Sequence, residues 1–148
     1  MAEQRHALVT WSGDLTAGAG TIDYVSSGVF SRMPVSWAAR TSAHNGKTSP
    51  EELLAAAHAS CFSMAFSSRL GKNGTPPTKL SVKAEVTFDN AGGGWKVTTS
   101  HITVTGEVPG IDLATFKSLA VDAGENCPIS IALKGNVSVT VEASLVGA

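Results

Sequence analysis

A chain of mixed strand and helix, running three strands, helix, two strands, helix, strand, is what the sequence predicts, and three observations carry it. Leu80 to Phe88 alternates strictly, with Leu80, Val82, Ala84, Val86 and Phe88 on one side and Ser81, Lys83, Glu85 and Thr87 on the other, the period of a half-buried strand. A long run without formal charge, Leu53 to Ser68, follows the helix-start signals Ser49, Pro50 and Glu52. The chain then closes on a second alternating segment, in which Val137, Val139, Val141 and Ala143 interleave with Ser138, Thr140 and Glu142. At 148 residues, 43% of them hydrophobic, the chain has the size and apolar content of one domain spanning residues 1–148.

In chain order, Ala7 to Trp11, Thr21 to Val25 and Val35 to Ala39 are short apolar stretches separated by turns such as Thr16 to Gly20, and each predicts a strand. Ser49 is a suitable N-cap, Pro50 suits the first helical position, and Glu52 completes a capping box. The helix is predicted to end at Gly71, with Gly74 and Pro76-Pro77 preventing continuation. The strand Leu80 to Phe88 pairs through the polar turn Asp89 to Gly94 with Trp95 to Val108, whose alternation changes phase near Thr99 to Ile102, as at a bulge. A second, shorter helix is capped by Asp112, presents Phe116, Leu119, Ala120 and Ala123 to the core, and stops before Pro128.

Apolar or small residues lie on every side of the helix Leu53 to Ser68, so it needs cover all round. It falls short of the ~20 apolar residues of a membrane span and has polar stops at both ends. A small domain covers one helix face with its own sheet. The remaining faces are expected to meet the same helix of a second copy, in a homodimer with an extensive interface.

Composition narrows the partners. With 11 Lys and Arg against 12 Asp and Glu, and no basic run, nucleic acid is excluded as an expected partner. The first six residues include Glu3, Arg5 and His6 without a signal-type apolar stretch, which predicts a cytoplasmic protein. Two cysteines are too few for a disulfide scaffold or a four-thiolate zinc site.

Each candidate for chemistry also has a plain structural explanation. A cysteine in an apolar helix, as Cys61 is, commonly serves as a small hydrophobe, and Cys127 at a helix end has the same reading. A reactive thiol needs a nearby cation or hydrogen-bond donors in a dry pocket. Arg40, upstream of the capped helix, could supply the charge or could be a solvated loop residue. Glu51 could orient Arg40 or simply complement the helix dipole, worth about 0.3 to 1 kcal/mol. Glu51 lies about 15 Å along the helix axis from Cys61 at ~1.5 Å per residue, so joint action needs a long arginine or a second subunit as a bridge. His58, three residues before Cys61, shares its helix face and could be a base, a metal ligand or a packed, hydrogen-bonded residue.

The run Thr48-Ser49-Pro50-Glu51-Glu52-Leu53-Leu54-Ala55-Ala56-Ala57-His58-Ala59-Ser60-Cys61-Phe62-Ser63-Met64-Ala65 resembles the central helix of the OsmC/Ohr family, whose peroxidatic cysteine stands at the position of Cys61. Val108-Pro109-Gly110-Ile111-Asp112 and Asn126-Cys127-Pro128-Ile129-Ser130 resemble its second-helix start and its resolving-cysteine segment. Order and spacing agree over nearly the whole chain. The Ohr branch carries its arginine in the N-terminal strand region, and Trp11 to Ile22 has none here. Arg40 fits the OsmC pattern of an arginine shortly before the central helix.

The resemblance implies an α+β fold, an intertwined homodimer whose antiparallel sheets enclose the central helices, with active sites at the subunit interface. It implies a thiol peroxidase of oxidative and osmotic stress defence that reduces organic hydroperoxides, and less efficiently hydrogen peroxide. Cys61 would be the attacking thiol, Cys127 the resolving one, and Arg40, held by Glu51, the group that lowers the Cys61 pKa. No prosthetic cofactor or metal is implied, and an external dithiol of lipoyl or thioredoxin type would return the enzyme to its reduced form. Two other readings remain: a metal-binding protein using His58, Cys61 and Cys127, and a stress protein that binds a hydrophobic small molecule.

Overall fold

The computed structural model describes residues 1–147. Their contacts separate into two compact units, Met1–Leu53 and the chain from Leu54 onward. Strands and helices follow the predicted order, with two short helices added.

The first unit is an antiparallel meander of β1 (Ala7–Ser12), β2 (Ala19–Val25) and β3 (Ser31–Val35). After β1 the Asp14 carboxylate accepts from the backbone N–H groups of Thr16 and Ala17, each at 2.8 Å, closing the turn. Those bonds, that of Ala17 foremost, hold its pKa below the ordinary aspartate value. The third predicted strand, Val35 to Ala39, is displaced. The strand ends at Val35, and the Ser36 hydroxyl accepts from the Ala39 N–H (3.2 Å) to cap a short helix, α1 (Trp37–Thr41). A capping side chain followed by helix-compatible Ala38, Ala39 and Arg40 outweighs the apolar run that suggests a strand.

Helix α2 (Pro50–Lys72) starts where the sequence places it. The Ser49 hydroxyl accepts from the Glu52 N–H (3.2 Å), one half of a capping box. The Glu52 carboxylate turns instead to the Thr48 hydroxyl, 2.6 Å away. The helix ends one residue beyond the predicted Gly71. The Gly74 N–H bonds to the Gly71 carbonyl and the Thr75 N–H to the Leu70 carbonyl, each at 3.0 Å. This is a Schellman closure, which places Gly74, at φ +80°, in the left-handed position.

In the second unit His58, Phe62, Phe66 and Leu70, spaced four apart, form the fully buried stripe of α2. The apolar members pack in one cluster with Ile102, Val104, Phe116 and Ala120, and the Phe66 and Phe116 ring centroids are 5.0 Å apart. On the same helix Ala56, Ala57, Ser60, Met64, Ser67 and Ser68 are exposed, Met64 to 69%. The chain by itself therefore leaves uncovered part of the apolar helix that is expected to be covered all round.

The sheet of this unit has the order β4 (Lys79–Asn90), β5 (Trp95–Glu107), β6 (Ser138–Leu145). β4 and β5 form the predicted hairpin. Its register shifts where Thr87 pairs with Thr99 and Phe88 with Val97, leaving Thr98 as the extra residue, just before the segment in which the alternation changes phase. β6 runs parallel to β5, a departure from the expected all-antiparallel sheets. The intervening helices carry the chain back across the sheet, so the last strand starts from the same end as β5.

Those helices are α3 (Leu113–Asn126) and α4 (Pro128–Leu133). Asp112 caps α3 as predicted, accepting from the Thr115 N–H (2.9 Å) and hydroxyl (2.6 Å). α4 is an addition to the predicted elements, in which Pro128 only stops a helix. A proline is equally suited to the first helical turn, and here it starts a new helix while Cys127 ends the old one. An added Cβ at Gly124, near the end of α3, would lie 2.5 Å from Val141 of β6, so the glycine permits the close approach of helix and strand.

Candidate active site

Of the four site residues predicted from the sequence, the structure joins Cys61 with Cys127 in the second unit and Arg40 with Glu51 in the first.

Cys61 projects from the middle of α2 and is partly exposed, whereas Cys127, at the α3–α4 junction, is fully buried; both are free thiols. Cys61 packs against the core cluster that contains Cys127, and the Cys127 thiol and the Ile129 backbone N–H are the neighbours that act on its sulfur. Burial pushes the Cys61 pKa above the ordinary thiol value and the Cys127 thiol pushes it the same way, while Ile129 pulls it down. Ionising Cys61 near neutral pH thus calls for a further group that favours the thiolate, a cation or a hydrogen-bond donor.

His58 stands one helical turn before Cys61 and is completely buried. Its Nδ1 lies 2.7 Å from the Ser100 hydroxyl and its Nε2 2.8 Å from that of Ser130. Burial lowers its pKa, which favours the neutral ring. A neutral imidazole between two hydroxyls uses one nitrogen to donate and the other to accept. Neither nitrogen is then left for a metal, which weighs against the His58, Cys61, Cys127 ligand set. Among the described residues no group of three or more His, Cys, Asp or Glu side chains has metal-holding geometry.

Ser100 and Ser130 are not among the sequence candidates. Ser100 is detectable in principle: on β5 it shares the buried face with Ile102 and Val104, and a hydroxyl at an inward position needs a partner. Ser130 has no comparable signal, since α4 itself lies outside the predicted elements.

In the first unit the Arg40 Nη2 donates to Glu51 Oε1 at 2.7 Å, and its Nε lies 3.2 and 3.3 Å from the two carboxylate oxygens. Side-chain exposure is 28% for Arg40 and 10% for Glu51, so the pair is partly shielded from water. The guanidinium also lies over the Trp37 ring, 5.5 Å from its centroid. A cavity of about 250 Å³ opens beside it, walled by Trp11, Leu15, Val35, Trp37 and Pro50. The arrangement presents a fixed cation at the edge of an apolar recess.

Residues 43–142 match the family model for OsmC-like proteins. The chain belongs to the OsmC family. That matched span includes Glu51, Cys61 and Cys127 and begins three residues after Arg40. Peroxiredoxin OsmC of Escherichia coli (strain K12) is 39% identical over 129 residues, covering 87% of this chain and 89% of that one. The organic hydroperoxide resistance protein of Xanthomonas axonopodis pv. citri (strain 306) is 32% identical over 95 residues, 64% of this chain and 65% of its own. The crystal structure of the organic hydroperoxide resistance protein OhrB of Bacillus subtilis superposes with a TM-score of 0.70 at 27% identity, over 93% of this chain and 97% of that chain. The α+β fold expected from the sequence is the fold of these OsmC and Ohr relatives. Among the described residues no helix is long and apolar enough to cross a membrane.

Proposed function

We propose that this OsmC-family chain is a cysteine-based peroxidase that reduces organic hydroperoxides, and hydrogen peroxide less efficiently, in oxidative and osmotic stress defence. The observation that carries the reading is the placement of Cys61, on a partly exposed helix face, against the buried core cluster that holds Cys127, whose thiol is near enough to act on it. The Cys61 thiolate attacks one peroxide oxygen, the O–O bond breaks, and the departing alkoxide takes a proton to leave as the alcohol. The Cys61 sulfenic acid then loses its hydroxyl as water when the Cys127 sulfur attacks, forming a disulfide. An external dithiol, of lipoyl or thioredoxin type, restores both thiols by exchange and is itself oxidised. No prosthetic group is needed, and such a reductant suits the cytoplasm.

Arg40 acts as the cation that opposes the upward push on the Cys61 pKa and orients the hydroperoxide, with Glu51 fixing the guanidinium. The apolar recess beside Arg40 favours an alkyl group over a second hydroxyl, which is why organic hydroperoxides are the preferred class.

The working unit is a homodimer in this reading. Two features of the single chain support it: the uncharged exposed face of α2 around Met64, and β1, all of whose residues are exposed, Leu8, Val9 and Trp11 among them.

The test is a peroxide-consumption assay with tert-butyl, cumene and hydrogen peroxides and either class of dithiol. Cys61→Ser is expected to fold and to lose all turnover, since a serine hydroxyl does not ionise at neutral pH. Turnover near wild type in that variant would remove Cys61 from the mechanism. A wild-type chain that forms no Cys61–Cys127 disulfide on peroxide treatment would favour a binding protein in which the cysteines only pack.

A further inference from the structure

The buried set Ser100, His58, Ser130 links three elements, β5, α2 and α4, and nothing in the peroxidase chemistry above uses it. Its location is specific. His58 is one turn from Cys61 on α2, and Ser130 is three residues beyond Cys127, in the first turn of α4.

We propose that His58 is a positioning residue for the resolving step: through Ser130 it holds the α3–α4 junction against α2, so that Cys127 stays within reach of Cys61 after Cys61 has been oxidised. The proposal rests on the reading of Cys127 as the resolving cysteine.

Three observations support it. α4 has only six residues, too few to keep a helical turn in place by its own hydrogen bonds, and Cys127 makes no side-chain capping bond to it. Its orientation must therefore come from what it touches. One link is the Ile129 N–H, near enough to the Cys61 sulfur to lower its pKa, and another is the hydrogen bond between Ser130 and His58 at 2.8 Å. The first involves the atom that gains an oxygen, so it is disturbed at the moment the resolving thiol is needed. The second does not involve sulfur, so the oxidation of Cys61 changes neither of its atoms. Ser100 completes the device: its bond to Nδ1 at 2.7 Å sets the plane of the ring, so that Nε2 points at Ser130. All three side chains are buried, at 0% exposure for His58 and Ser100 and 5% for Ser130, so water does not compete for these bonds. The imidazole works here as a neutral spacer of fixed shape, and the thiol-activating cation remains a separate group.

The experiment separates the two half-reactions on the full chain. The first, attack of Cys61 on one equivalent of cumene hydroperoxide, is followed by peroxide loss. The second, disulfide formation, is followed by acid quench and intact mass. Ser130→Ala removes the hydroxyl while leaving both cysteines, Arg40 and Glu51 in place. It is expected to attack at the wild-type rate and to resolve roughly tenfold or more slowly, the scale of loss expected when a reacting group is misplaced by a fraction of an ångström. More Cys61 sulfinic acid should accumulate at equal peroxide, and Ser130→Thr, which keeps a hydroxyl, should restore resolution. Wild-type resolution in Ser130→Ala overturns the proposal, as does a slowdown that threonine leaves uncorrected, which would point to packing alone. Should Ser130→Ala fail to fold, Ser100→Ala, which frees the other side of the same ring, decides by the same criterion. A wild-type chain that forms no disulfide at all would instead overturn the resolving-cysteine reading, and this inference with it.

Discussion

Arg40 and Glu51 meet through a fork, with Nη2 2.7 Å from Oε1 and Nε within 3.3 Å of both carboxylate oxygens. Such a pair fixes a guanidinium in direction as well as in place, and a lysine ammonium at position 40 would retain the charge but lose the planar fork. Arg40→Ala should raise the Cys61 pKa, read as slower alkylation by iodoacetamide at pH 6 to 7, with roughly tenfold less thiolate for each pKa unit. Arg40→Lys should fall between wild type and alanine. Alkylation unchanged in both variants would separate Arg40 from the thiol.

Cys127 tests the division of labour between the thiols. Cys127→Ser leaves the first attack intact but removes the partner that converts the sulfenic acid to a disulfide. One stoichiometric turnover should survive, after which excess peroxide drives Cys61 to the sulfinic or sulfonic acid and turnover stops. Intact-mass measurement during graded peroxide addition should find two or three added oxygens. If repeated turnover persists without them, Cys127 has a packing role only.

His58 gives the fold a pH dependence with a definite sign. Its pKa is lowered in the folded chain by burial, below the ordinary histidine value of 6.5, whereas the unfolded chain takes up a proton at about that value. The stability tied to the neutral ring is therefore complete above pH 6.5 and is lost as pH falls toward the folded-state pKa. Urea midpoints between pH 7.5 and 5 should decline for the wild type and decline less for His58→Gln, whose amide does not titrate. Parallel declines in the two proteins would show that other groups account for the acid sensitivity.

Met64, 69% exposed on the uncharged face of α2, is the natural probe of the proposed dimer. Burying a methionine against a partner is worth about 1.5 to 3 kcal/mol, and a carboxylate there would face a further desolvation cost. Met64→Glu should shift the protein from dimer to monomer at micromolar concentration in sedimentation velocity. A wild-type protein that sediments as a monomer would overturn the proposed dimer, and a Met64→Glu dimer of unchanged affinity would place the interface elsewhere.

Features governed by near neighbours along the chain are legible in the sequence itself. The Ser49 cap, Pro50 and the four-residue spacing of His58, Phe62, Phe66 and Leu70 are local properties, and α2 starts and packs as they dictate. The alternation from Leu80 to Phe88 likewise marks both a strand and its buried face. The long run around Cys61 is specific enough to identify the OsmC/Ohr resemblance, and through it the roles proposed for Cys61, Cys127, Arg40 and Glu51.

Other features are decided only in three dimensions. Cys61 and Cys127 are far apart in the chain, and sequence distance does not set spatial distance; they come together because the end of α3 packs between β6 and α2, in the same core cluster. Pro128 is compatible with either stopping one helix or starting another, and its surroundings select the second. That choice brings Ser130 to His58, while the pleat of β5 brings Ser100 to the other side of the ring. A histidine's periodicity states which face of a helix it occupies, but the hydroxyls that hold it come from two other elements, and only the packing of those elements could bring them there.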